Sequence, residues 1–228
     1  MVFLEGILQL LSRLMSIIDF GGNRMQNDML LANATSDDSY FPQTDNPTEE
    51  FLRKFGTKNW TQSCGPTAAT MLVKAVGGSI GTITPGGYRP QPEEVLMDWF
   101  NDPKNYPVME RIRPDTPPDV YIGGRVPQFY SEAVYAVFGV PARFDWACHW
   151  NDVLEYIQKN IGIMACLKSP GHYVAIIGFN KQAQEVIYHD PWPENYWPST
   201  LQGTPGSFRR MQQAEFFKNV QPFKVLIG

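Results

Sequence analysis

The sequence predicts an α+β domain in which an early helix packs on an antiparallel sheet. Apolar positions at helical spacing dominate the chain up to about residue 160, and short runs rich in β-formers follow, at 162–167, 173–179 and 185–188. The chain has 228 residues, 43% of them hydrophobic, enough to bury a full core without disulfide or metal staples. Aromatic residues are plentiful at 13%, and charged residues are slightly scarce at 18%, the balance of a folded chain.

The first element is an amphipathic helix over residues 3–18, with Leu4, Ile7, Leu8, Leu11, Leu14, Met15 and Ile18 on one broad apolar face. Gln9, Ser12 and Arg13 interrupt the stretch from Ile7 to Ile18, which is too short and too polar to span a bilayer. It also reads poorly as a signal peptide: Glu5 stands where a basic region belongs, and no A-x-A-like site follows. Synthesis without a secretion signal is expected. The apolar face is expected to dock on the protein's own domain. A partner or a membrane surface is the alternative, and a polar face whose only basic residue is Arg13 gives a membrane little to attract.

Residues 21–50 form a polar connector, so the chain divides into an N-terminal helix and linker, 1–37, and a main domain, 38–228. A helix is expected from Thr48, where Glu49 and Glu50 favour the positive end of the dipole. Another follows Cys64, with Ala68, Ala69, Met71, Leu72 and Ala75 facing a core and Gly77-Gly78 ending it. Residues 79–127 are rich in Gly and Pro, with a helical patch at Glu93–Phe100; two further helices are expected over 128–139 and 150–160.

Charge narrows the partners. The net charge is −4, the pI about 5.4, and no run of Lys or Arg occurs, so nucleic acid is not expected. The cysteines are Cys64, Cys148 and Cys166; no C-x-x-C spacing exists, and an odd count leaves at least one thiol unpaired.

Cys64 stands in Gln62-Ser63-Cys64-Gly65-Pro66-Thr67-Ala68-Ala69, at the start of a helix. The positive end of the helix dipole favours a thiolate there, and backbone N–H groups at the same terminus can hold an oxyanion. Gly65 permits close approach of backbone, and Pro66 suits the first helical turn. Cys166, inside the apolar run Met164-Ala165-Cys166-Leu167, reads as structural. A nucleophilic thiol needs a base and the base an orienting partner. His172, in Ser169-Pro170-Gly171-His172-Tyr173, opens one strand, and Asp190, in Tyr188-His189-Asp190-Pro191-Trp192, follows the next. Adjacent antiparallel strands would set the two side by side.

Taken together, C-G-P-T before a helix, G-H-Y before a strand and D-P-W after the next strand resemble the papain-like cysteine peptidases related to the double-glycine leader peptidases of bacteriocin exporters. The match spans roughly residues 38–195 and is dense at the three motifs. The resemblance implies a papain-like fold, Cys64 as nucleophile, His172 as base, Asp190 as its orienter, and a glutamine completing the oxyanion hole. Gln43, in Tyr40-Phe41-Pro42-Gln43-Thr44-Asp45-Asn46, is the candidate for that glutamine, with Gln62 as runner-up. Gly65, Gly171 and Trp192, beside the three motifs, are expected to contact substrate. The implied activity is cleavage of a peptide or amide bond, which does not fix the substrate. A peptide or peptidoglycan-like substrate is expected, since a lytic enzyme can lack a secretion signal if another system carries it out, and no cofactor or metal is expected. Acyl or peptidyl transfer on the same scaffold is the alternative. A non-catalytic binding module is disfavoured because all three residue types are present.

The remaining histidines fit worse. Cys148-His149, between Trp146 and Trp150, reads as a packed helix start. His189 alternates with Asp190 and should face away from it. Cys148, His149, His172 and His189 lack a zinc-ligand spacing, and Gly77–Gly87 lacks a phosphate-loop signature. If Gln43 serves the oxyanion, Gln43→Ala should lower kcat roughly a hundredfold with little change in KM. Gln62→Ala should cost much less, and steady-state kinetics of the two variants rank them.

Overall fold

The computed structural model describes residues 27–36, 39–43, 49–55, 62–80, 91–117, 124–169, 171–192 and 206–228. The expected helix over residues 3–18 lies outside them. The helices are α1 (Glu49–Phe55), α2 (Cys64–Ala75), α3 (Glu94–Asn101), α4 (Tyr106–Ile112), α5 (Tyr130–Phe138), α6 (Trp150–Gln158) and α7 (Gln213–Asn219). The strands are β1 (Asp28–Leu30), β2 (Ala142–Asp145), β3 (Gly162–Leu167), β4 (His172–Asn180), β5 (Glu185–His189), β6 (Arg209–Gln212) and β7 (Val220–Ile227). Among the described residues one antiparallel sheet runs in the order β2-β7-β3-β4-β5-β6, with β1 added on β4.

The expected α+β arrangement is the one found. Strands β3, β4 and β5 are buried along their whole length, which explains why they read as continuous apolar runs and not as alternating ones. Helix α2 packs on β4 and β3. Its small residues Ala68 and Ala69 let it approach the sheet, while Met71, Leu72 and Val73 are fully buried, each burial contributing about 1.5–3 kcal/mol. Phe100 of α3 meets Tyr130 of α5 edge-on, with ring centroids 5.1 Å apart. Trp150 of α6 packs against Phe179 of β4 and Phe217 of α7, at 6.0 and 6.3 Å, and Phe216 of α7 packs on Tyr188 of β5 at 5.7 Å. No helix among the described residues is long and apolar enough to cross a membrane.

Two features correct the sequence reading. Residues 28–30 lie in the sheet, paired with Gly178–Asn180 of β4, and Leu31 and Ala34 are core residues. Part of the segment read as linker thus contributes a strand to the sheet. The short strand is legible only through its partners: Arg210 ion-pairs with Asp28 and reaches Glu185 at 3.6 Å, tying β1, β5 and β6 together. The second feature is the C-terminal region, where β6, α7 and β7 were not anticipated. Strand β7 carries a fully buried lysine. Lys224 Nζ reaches Asp152 at 2.9 Å, Asp145 at 3.3 Å and the carbonyl of Ala147, fastening β7 to β2 and to the start of α6.

The turn between β3 and β4 brings Leu167 opposite His172, so both strands end at one rim of the sheet. Gly171, in that turn, has φ +89°, a conformation that favours glycine. At the far end of β4, a Cβ on Gly178 would come within 2.5 Å of both the Met29 carbonyl oxygen and Leu30 Cδ2. Gly178→Ala should therefore lower stability by about 1–3 kcal/mol by pushing β1 off the sheet. Chemical unfolding measures this, and an unchanged midpoint would contradict the close packing.

Candidate active site

The rim where β3 ends and β4 begins gathers the residues singled out by the sequence. Ser63 occupies the N-cap of α2 and Cys64 is its first residue. Among the described residues the first helical N–H with a backbone acceptor is that of Thr67, on the Ser63 carbonyl at 2.9 Å. The N–H groups of Cys64 and Gly65 lie before it and by position have no intrahelical acceptor, while Pro66 has no N–H to satisfy. A donor pair thus sits beside the thiol at the positive end of a twelve-residue helix.

His172 opens β4 and is 2% exposed. Its Nε2 lies 2.7 Å from Asp190 Oδ1, and the ring also hydrogen-bonds with Cys64, for which Nδ1 remains. Burial alone would push the imidazolium down. The hydrogen bonds to Asp190 and Cys64 outweigh burial and raise it to about 9. Cys64, His172 and Asp190 are therefore brought together at this rim.

Asp190 is fully buried and all its contacts are internal. Oδ1 also accepts the Trp192 backbone N–H at 3.0 Å, and Oδ2 accepts from Arg209 Nη1 at 3.1 Å. Its own N–H donates to the Gly206 carbonyl at 2.8 Å. Trp192, expected to touch substrate, is only 8% exposed and meets the site through its backbone. Nothing in the sequence singled out Arg209, which stands next to Arg210 outside every motif.

Gln43 comes to the same place from the distant segment 39–43. It is fully buried, its N–H donates to the Pro191 carbonyl at 2.9 Å, and Tyr40 donates its hydroxyl to the Asp190 carbonyl at 3.4 Å. Gln62, the alternative, has its side-chain oxygen engaged by the Arg125 guanidinium. Gly65 is pressed against Tyr130: a Cβ there would lie 2.2 Å from the phenol oxygen, which donates to the Gly124 carbonyl at 2.8 Å. Tyr173 donates to the Arg125 carbonyl at 3.3 Å.

His189 faces away from this cluster, its ring between Tyr40 and Phe208, with Nδ1 accepting the Phe208 N–H at 3.1 Å. His149 caps α6, and its N–H donates to Asp152 at 3.0 Å. Among the described residues no group of three His, Cys, Asp or Glu is placed to hold a metal ion.

The family model described as the Peptidase_C39 like family matches residues 36–215. The chain belongs to that family. It is a cysteine peptidase, related to the double-glycine leader peptidases. Among solved structures it matches the peptidase domain of Streptococcus ComA, described as a bi-functional ABC transporter involved in a quorum-sensing pathway. That match has 14% identity and a TM-score of 0.42, and covers 73% of this chain and 92% of the other. A search of curated proteins returns no match.

The three thiols of this peptidase differ in access. Cys148 and Cys166 are buried and Cys64 is half-buried. Burial pushes Cys148 up to about 12; burial, with the nearby Cys64, does the same to Cys166. Iodoacetamide at pH 8 should therefore modify Cys64 at least about tenfold faster than either other cysteine. Peptide mapping by mass spectrometry reads the order, and earlier modification of Cys148 or Cys166 would remove Cys64 from the reactive role.

Proposed function

We propose that Cys64, His172 and Asp190 act as a catalytic triad that cleaves a peptide or amide bond through a thioester. The observation that carries this reading is His172 held between a buried carboxylate and the thiol that begins helix α2. The Cys64 sulfur attacks the carbonyl carbon, and the negative charge formed on oxygen meets the α2 N-terminus. His172 delivers its proton to the leaving nitrogen as the C–N bond breaks, leaving an acyl-thioester. Neutral His172 then takes a proton from water, whose oxygen attacks the thioester, and the acid product leaves with the thiol restored. Gln43 is proposed as the second oxyanion donor; its buried segment is tied to Pro191, next to Asp190. Gly171, open beside the histidine, is proposed to pass substrate backbone, whereas Gly65, expected to do the same, is filled on its Cβ side by Tyr130.

The substrate proposed is a peptide or the peptide portion of peptidoglycan. Incubation with mixed peptides and with purified peptidoglycan, followed by mass spectrometry of the products, tests this. Cys64→Ala should fold normally and lose at least about a thousandfold in rate. Products unchanged by Cys64→Ala would sink the reading. Added hydroxylamine discriminates outcomes: free acid alone means hydrolysis, and a dominant amine adduct at low amine concentration means transfer.

A further inference from the structure

We propose that Arg209 is a positioning residue of this site, which fixes the Asp190 carboxylate and offsets part of its charge so that His172 can release its proton. The proposal rests on the triad reading and extends it by one residue.

Arg209 and Asp190 form a buried ion pair, with the guanidinium side chain 2% and the carboxylate 0% exposed. The two carboxylate oxygens are divided: Oδ1 serves His172 and the Trp192 N–H, and Oδ2 serves Arg209. Rotating the carboxylate would break contacts on both sides at once, so Arg209 sets the angle at which Oδ1 addresses the imidazole. Local structure delivers the guanidinium to this place. Arg209 begins β6, in register with Tyr188 of β5. Phe208 before it has φ +52°, a left-handed conformation unusual for a bulky residue. Its N–H is held by His189 Nδ1, and its ring lies edge-on to the His189 ring, centroids 5.0 Å apart. The bend turns the chain so that the next residue points inward.

The charge argument follows from the reaction. His172 must give up its proton to a leaving nitrogen and then act as a neutral base toward water. An undivided carboxylate charge at 2.7 Å would hold the proton on the ring. A guanidinium on the far oxygen weakens that hold. The titratable and charged groups facing this cluster are Cys64 on α2, Tyr188 on β5 and Arg209 on β6, while His189 points to the other side of β5.

The test uses the full chain with 15N-labelled histidine, whose three pairs of ring signals are assigned with single variants, and 4-nitrophenyl acetate as the acylating probe. The acetyl burst reports acylation, and steady-state turnover reports the deacylation that needs neutral His172. Arg209→Gln should raise the His172 titration by roughly half a pH unit or more. It should slow deacylation at pH 7 by about tenfold or more, with a smaller effect on the burst. Arg209→Lys, which keeps the charge, should restore the titration and most of the turnover. A folded Arg209→Gln chain with wild-type titration and deacylation overturns the proposal, as does a Lys variant whose titration is raised as far. Should the Gln variant fail to fold, the Lys variant decides: an unmoved His172 titration supports the charge role and a raised one refutes it. Cys64→Ala and Asp190→Asn are run alongside. Full turnover in either would sink the triad itself, whereas their failure beside an active Arg209→Gln would sink only the role of Arg209.

Discussion

A carboxylate sealed from water must find all its partners inside the protein, and Asp190 finds them on separate segments of the chain. His172 comes from the start of β4, Arg209 from β6, the Trp192 N–H from the residues just after Asp190, and Gly206 from the approach to β6. The Asp190 carbonyl holds Tyr40 from the N-terminal side of the domain. Removing any partner would leave buried charge or a buried polar group uncompensated, at a cost of several kcal/mol for the charge. The site is consequently also a junction that decides how β4, β5, β6 and the 39–43 segment meet.

The sheet supplies the rigidity this junction needs. Three of its strands are antiparallel and buried along their whole length, so a one-residue slip would turn every side chain to the opposite face and misfit the packing on both. That register fixes where β4 begins and β5 ends, and hence where His172 and Asp190 stand. Helix α2 is fixed against the same strands by an almost wholly buried helix body, which places its first residue at the rim. Backbone donors and imidazole are thus held by two elements that cannot move independently.

Much of this was legible in the sequence, because the deciding signals were local. The helix after Cys64 and the strand Gly162–Leu167 were expected where they are found, since apolar content is dense and the ends are marked by glycine or by turns. The fold class followed from their order. The rest depended on pairing over long distances. Strand β7 reads as broken by Pro222 and Lys224 until the two aspartates that accept the lysine are known. Strand β6 starts with two arginines whose charges are met by Asp190 and Asp28, nearly twenty and over a hundred and eighty residues away. Strand β1 has three residues in a polar stretch and no periodicity to reveal it. Arg209 escaped notice for the same reason: its importance lies wholly in what stands opposite it.

His189 carries a consequence beyond its packing. Burial pushes this imidazole down to about 4, against a partial upward effect from the Ala34 backbone. It is therefore neutral in the folded chain through the range where an unfolded chain binds a proton, and its Nδ1 can accept the Phe208 N–H. Because the folded value is depressed, the stabilisation is complete above the ordinary histidine range and is lost progressively as pH falls toward 4. Acid would then act on the fold through proton linkage at His189. A protonated ring no longer accepts from Phe208, and the bend that carries Arg209 to Asp190 loses its anchor. Acidification would in this way reach the site from the opposite face of β5, through a residue that takes no part in the chemistry.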